Sequence, residues 1–189
     1  LDSKFNILTP WIFDETENSI YATASKVDEA EGLYKISLTS GKYDLINQNA
    51  AVSPSKVWVS DNTKKLLAVE YEAGYPTYEF SNKNSSHAKM LTSLMQALPD
   101  HQVRLISSTH DDETNVVWAG NDKNSGSYFL YNNKTNKLQR LFSAREWLKP
   151  QEMAEVRPIK YETRDGLTIY GYLTLPKGKE EKNLPLVVM

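Results

Sequence analysis

The chain has 189 residues, of which 40% are hydrophobic and 24% charged, with a net charge of -2 and a pI near 6.0. That gives room for one domain, or one domain and part of another, and enough apolar content to fold rather than stay disordered. There is no basic excess to neutralise phosphates, no run of about 18 apolar residues to span a membrane, and no cysteine for disulfide or thiolate chemistry.

The absence of cysteine leaves the compartment open, cytoplasm or periplasm alike. The opening Leu1-Asp2-Ser3-Lys4 is neither an initiator methionine nor a signal peptide, so the chain reads as a piece of a longer protein.

Residues 1–145 carry short aromatic and β-branched runs separated by Asn, Asp, Ser and Gly turns, which is the pattern of an all-β fold. Three windows repeat. They open with Trp11-Ile-Phe-Asp14, Val57-Trp-Val-Ser60 and Arg104-Leu-Ile-Ser107. Each opener is followed by a polar turn, of which Asp61-Asn-Thr-Lys64 is the second. A second strand follows (Ser19-Ile-Tyr-Ala-Thr-Ala24, Lys65-Leu-Leu-Ala-Val-Glu-Tyr71, Val116-Val-Trp-Ala119), then a third that contains tyrosine. In the first and third units a turn leads to a fourth strand, at 43–46 and 138–142. Four short strands in roughly 45 residues is the period of a β-propeller blade, which must stack on neighbours to bury its faces.

The second unit departs from this pattern. Met90, Leu91, Leu94, Met95 and Leu98 fall at helical spacing, with Ser85 or Ser86 placed to cap the start and Pro99 to end the run. An amphipathic helix inserted at the edge of the second blade is expected, and its Met and Leu stripe reads as packing. Residues 101–106 could close the second blade or open the third. A short helix capped by Ser143 and running through Leu148 is expected to lead from the third blade into a linker at 146–155, with Trp147 as an anchor between domains. Trp11, Trp58 and Trp118 are expected to pack between blades.

The end of the chain changes character. Residues 156–163 and 167–175 flank Arg164-Asp165-Gly166 and read as a hairpin, because Asp-Gly supplies the positive φ of a tight turn. Residues 184–189 are continuously apolar and read as a strand buried on both faces, as in a parallel sheet. A second domain is expected to begin here.

Candidate chemistry is sparse. His87, His101 and His110 show no metal-ligand spacing and read as solvated loop residues. The acidic run His110-Asp-Asp-Glu113 could hold a cation or an amine, but reads first as a polar turn. Arg104, Arg140, Arg145 and Arg157 could pair a peptide carboxylate; surface or inter-blade pairing is the plainer reading. The sequons at Asn84 and Asn133 are read as chance. There is no Gly-x-Ser-x-Gly and no glycine-rich phosphate loop, so no catalytic, cofactor or metal residue is assigned.

The stretch VRPIKYETRDGLTIYGYLTLPKG at 156–178, followed by LPLVVM at 184–189, resembles the entry to the catalytic domain of prolyl oligopeptidase family serine peptidases. The likeness is greatest to the acylaminoacyl-peptidase and dipeptidyl-peptidase-like bacterial branch. The preceding SYFLYNNKTNKLQRLF is similar to a last propeller blade of such proteins. The resemblance implies about three four-stranded antiparallel blades over 1–145, one with an inserted helix. A linker over 146–155 and the first strands of an α/β-hydrolase domain over 156–189 follow. It implies a parent that hydrolyses short peptides by a Ser-His-Asp site beyond this chain, with the propeller restricting access. The piece itself would then be inactive and prone to self-association, with neither nucleic acid nor membrane as partner and no cofactor. A non-enzymatic propeller that binds a partner, and a propeller-capped esterase, remain as alternatives.

Overall fold

The computed structural model describes residues 5, 7–26, 29–60 and 62–189; the opening Leu1-Asp2-Ser3-Lys4 and the turn residue Asp61 lie outside them. The fold is nearly all β, built as successive antiparallel sheets. The first is a meander of β1 (Ile7–Asp14), β2 (Ser19–Ser25), β3 (Gly32–Ser37) and β4 (Tyr43–Gln48). The second has three strands, β5 (Pro54–Val59), β6 (Leu66–Tyr71) and β7 (Thr77–Phe80), followed by helix α1 (Ser86–Ala97). The third is again a four-stranded meander of β8 (Gln102–Ser108), β9 (Thr114–Gly120), β10 (Ser127–Asn132) and β11 (Lys137–Ser143). A separate hairpin of β12 (Val156–Glu162) and β13 (Thr168–Thr174) closes the order.

These sheets are propeller blades, and the repeat is visible in backbone detail. The first turn of each blade holds a non-glycine residue in the left-handed region: Asn18 at φ 43°, Lys64 at 53° and Asp112 at 55°. A side-chain oxygen braces each turn, as Asp14 Oδ1 does by accepting the Thr16 N–H at 3.0 Å and Ser60 Oγ by accepting the Thr63 N–H at 3.1 Å.

The core lies between blades rather than within one. Leu33 of the first blade packs with Val57, Leu66, Val69 and Tyr71 of the second. Met90, Leu91 and Leu94 of α1 pack with Val103, Val117, Ala119 and Tyr131 of the third, with Phe80 of β7 against the same cluster. Blades with two apolar faces are stable only when stacked this way. Polar ties cross the same seams: Tyr71 Oη donates to Asn47 Oδ1 at 2.6 Å, and Asn62 Nδ2 donates to Asp112 Oδ1 at 2.5 Å.

Helix α1 sits where its apolar spacing places it. Ser85, not Ser86, is the N-cap, its Oγ accepting the Ala88 N–H at 3.1 Å. Residues 101–106 fall to the third blade, since Gln102, Val103, Arg104 and Leu105 pair with β9. The second blade therefore has three strands, and the chain that would form a fourth is helix α1 instead.

Four expectations need correction. Residues 143–148 form no helix: Ser143 ends β11 opposite Ser127, and only a turn follows, with the Leu148 N–H donating to Arg145 O at 3.2 Å. Pairing in the sheet takes the residue that would have capped the helix. Trp147 anchors nothing among the described residues and is 74% exposed. Residues 184–189 form no strand, because a strand needs a partner for its N–H and C=O groups and no described strand lies beside them. Val187 and Val188 are about four-fifths exposed. Trp11 also differs: it lies on the outer face of the first blade at 43% exposure, its Nε1 donating to Thr23 Oγ1 at 3.1 Å. Trp58 is buried, its Nε1 bonded to Glu70 of the same blade.

Candidate functional site

A cleft of about 820 Å³ lies where the second blade, the third blade and the β12–β13 hairpin meet. Four stretches of chain form its walls. The β6–β7 turn and β7 supply Glu72, Tyr75 and Tyr78; the segment after α1 supplies Asp100 and His101; the end of β9 and the turn after it supply Trp118 and Asp122; and the hairpin with the residue before it supplies Glu155 and Tyr172. Its volume falls in the range of small-ligand sites.

A buried polar network lies behind one wall. Glu70, on β6, is only 1% exposed. Its Oε2 accepts the Trp58 Nε1–H at 2.9 Å, and its Oε1 accepts from Gln102 Nε2 at 2.8 Å. The second bond crosses from the second blade to the third. A carboxylate this buried requires such partners. Trp58 meets Tyr78 edge to face, with ring centroids 6.2 Å apart.

Glu72 lies two residues along the same chain and faces the cleft. Burial, followed by the neighbouring Glu70 charge, pushes its carboxyl above the usual range, against a lowering by Arg104. The Tyr78 hydroxyl is pushed up by burial first and the Glu70 charge second. That hydroxyl is buried and has no hydrogen-bond partner, as is Arg104 Nε. Arg104 lies over the Trp118 ring at 5.6 Å. Trp118 in turn rests on glycine: a Cβ at Gly126, where φ is 105°, would stand 2.0 Å from the indole Nε1.

The hairpin is fastened to both blades beside the cleft. The Tyr172 hydroxyl donates to Gly74 O at 2.5 Å, and the Val156 N–H donates to Asp122 Oδ2 at 2.7 Å. Lys123 and Glu155 form an exposed ion pair at 3.5 Å.

The residues singled out in the sequence fall in different places. His101 reaches the cleft, its Nδ1 donating to Pro99 O at 2.8 Å. His87 lies at the start of α1, 3.8 Å from Asp112, and His110 is exposed. The acidic run is a turn: Asp111 accepts from Thr109 Oγ1 and the Glu113 N–H, which hold its carboxyl below the usual range, and Glu113 pairs with Lys134 at 2.6 Å. Arg157 pairs with Glu181 at 3.2 Å on the surface, and Arg140 donates to Ser143 Oγ at 2.5 Å. Among the described residues no cluster of three metal-ligating side chains occurs, and no helix is long and apolar enough to cross a membrane.

The sequence reading missed Glu70 and Glu72. One signal was present, a glutamate inside the apolar run Leu66-Leu-Ala-Val-Glu-Tyr71, where a buried charge demands a partner. The partners, Trp58 and Gln102, stand too far away in sequence to be matched by spacing.

Comparison with known proteins agrees with this architecture. No family model matches the chain. It is 27% identical over 178 residues to dipeptidyl aminopeptidase BIII of Pseudoxanthomonas mexicana, a match that covers 90% of this chain and 25% of that protein. Solved prolyl endopeptidases share the fold with a TM-score of 0.52 at 10% identity, over 91% of this chain and 24% of theirs. Prolyl oligopeptidase B from Galerina marginata does so with a TM-score of 0.53 at 11% identity, over 88% of this chain and 23% of its own. The chain thus spans about a quarter of the length of each of these proteins. In sequence over most of its length, and in fold, the chain is similar to peptidases of the prolyl oligopeptidase family.

Proposed function

We propose that this chain is the propeller side, and the entry strands of the catalytic domain, of a serine peptidase that hydrolyses short peptides. The observation that carries this reading is the likeness to a dipeptidyl aminopeptidase along 90% of the chain. On this reading residues 1–145 are blades, 146–155 the linker and 156–189 the start of the α/β-hydrolase domain. The serine nucleophile, its histidine base and the orienting aspartate lie beyond residue 189. The blades restrict entry, so that short peptides pass and folded proteins do not. Nothing within the chain takes part in bond cleavage, and the 189 residues alone are inactive.

The test uses the whole protein. Dipeptidyl 4-nitroanilides should be hydrolysed, and a serine-directed fluorophosphonate should abolish the turnover. Retention of full activity after stoichiometric phosphonylation, or the absence of any hydrolysis, would remove the peptidase reading.

A further inference from the structure

We propose that His87 and Asp112 form a pH-sensitive lock, in which protonation of His87 draws the start of helix α1 onto the first turn of the third blade and tightens the seam between the second and third blades. The lock rests on blade geometry alone, so it stands independently of the peptidase reading.

Position is the first ground. Helix α1 follows the three strands of the second blade, and its apolar face is packed on the third. His87 is the second residue of the helix. Its Nε2 stands 3.8 Å from Asp112 Oδ2, and its side chain is only 16% exposed. That separation is too long for a hydrogen bond, so a neutral imidazole leaves the contact open. A protonated ring donates from both nitrogens and carries the charge that a carboxylate attracts. The contact is therefore complete when His87 holds its proton and is lost as the pH rises and the proton leaves.

The carboxylate is the second ground, because it is already set in place. Asp112 Oδ1 accepts from Asn62 Nδ2 of the second blade at 2.5 Å, while Oδ2 is the oxygen nearer His87. Asp112 O accepts from the side-chain amides of Asn115 and Asn133, so the turn that carries the carboxylate is itself braced. The first turn of α1 contains no acidic residue. The helix dipole disfavours a cation there, and Asp112 supplies the opposing charge from outside the helix.

Space and isolation are the third ground. A cavity of about 40 Å³ is bordered by both His87 and Asp112, which leaves the imidazole room to swing across the gap. The other residues that border it are uncharged, with Ser60 and Asn62 from the second blade and Ser107 and Ser108 from the third supplying the polar ones. Charged groups nearby are paired elsewhere or face solvent. In the β8–β9 turn Asp111 accepts from Thr109 and from the Glu113 N–H, Glu113 pairs with Lys134 at 2.6 Å, and His110 is exposed. Lys64 and Lys65 of the β5–β6 turn are exposed, as are Lys83 before α1 and Lys89 on it. Asp61, beside Asn62, lies outside the described residues.

The test is hydrogen exchange of the whole protein at about pH 8 and about pH 5.5, on either side of the histidine range. Exchange is read by mass spectrometry in peptides that cover α1 and is corrected for the intrinsic dependence of exchange on pH. Protection of α1 should rise about two- to fivefold toward the acid side, the scale of a partly exposed ion pair. Added salt should shrink the rise. His87→Gln should match the wild type at the higher pH, which shows an intact fold, and should lack the rise. Asp112→Asn should lack it too, since asparagine tolerates the φ of 55° and keeps an acceptor for Asn62. Asp61→Asn should retain the rise. No rise in the wild type, a rise kept in His87→Gln or Asp112→Asn, or a rise lost in Asp61→Asn overturns the proposal.

Discussion

Replacing Glu70 with alanine should be among the most damaging single changes in the chain. Its carboxylate is 1% exposed and accepts from Trp58 Nε1 at 2.9 Å and Gln102 Nε2 at 2.8 Å. Removing it strands two N–H donors, one of them on an indole that is itself 5% exposed. Each stranded buried donor costs about 1–3 kcal/mol, and the vacated volume adds to that. Against this, a buried negative charge no longer has to be desolvated, which returns part of the loss. The balance is a loss of about 2–5 kcal/mol, a large share of a domain stability of about 5–15 kcal/mol. Glu70→Gln keeps one acceptor oxygen and should lose roughly half as much. Urea unfolding followed by far-UV circular dichroism reads both. A double-mutant cycle pairing Glu70→Gln with Trp58→Phe should return a coupling of about 0.5–3 kcal/mol. If Glu70→Ala loses under about 1 kcal/mol, the carboxylate is not the tie between blades that its geometry indicates.

Three further outcomes follow from the same structure. Burial and the Glu70 charge hold the Glu72 carboxyl above its usual range, so the folded state binds that proton more tightly than the unfolded state does. Its contribution to stability is complete below the ordinary carboxyl value and is lost as pH rises through the raised one. Glu72→Gln should therefore raise the unfolding midpoint at pH 7 and change nothing near pH 3; a loss at pH 7 contradicts this. Gly126→Ala places a Cβ 2.0 Å from Trp118 Nε1 at a φ of 105°, and should lower stability by about 1–3 kcal/mol while shifting tryptophan emission. The exposed apolar residues of β1 (Ile7 and Phe13) and the run from Leu186 to Val188 should make the isolated chain self-associate, and a monodisperse monomer in light scattering at micromolar concentration would count against that.

Much of the fold was legible in the sequence because blades repeat. The openers at positions 11, 57 and 104, the polar turns after them and the helical spacing of Met90, Leu91 and Leu94 are local patterns that local physics fixes. The cap at Ser85 is local in the same sense. What local pattern could not settle was competition for partners. Ser143 had the chemistry of a helix cap, yet opposite Ser127 it completes a sheet. Residues 184–189 have the composition of a buried strand, but composition supplies no neighbour. The cleft was almost illegible. Its walls come from stretches separated by up to 100 positions (Glu72 and Tyr172), and only the blade stacking brings them together.

The most direct measurement of the central claim is cleavage by the whole protein of one peptide sequence in two settings. The sequence is offered first as a free peptide of about ten residues, and then within an exposed loop of a stably folded protein, with products followed by mass spectrometry. A propeller-gated peptidase should cleave the free peptide and leave the folded protein intact, while the 189-residue chain alone cleaves neither. Comparable cleavage in both settings would contradict gating by the blades, and turnover by the chain alone would contradict the placement of the chemistry beyond it.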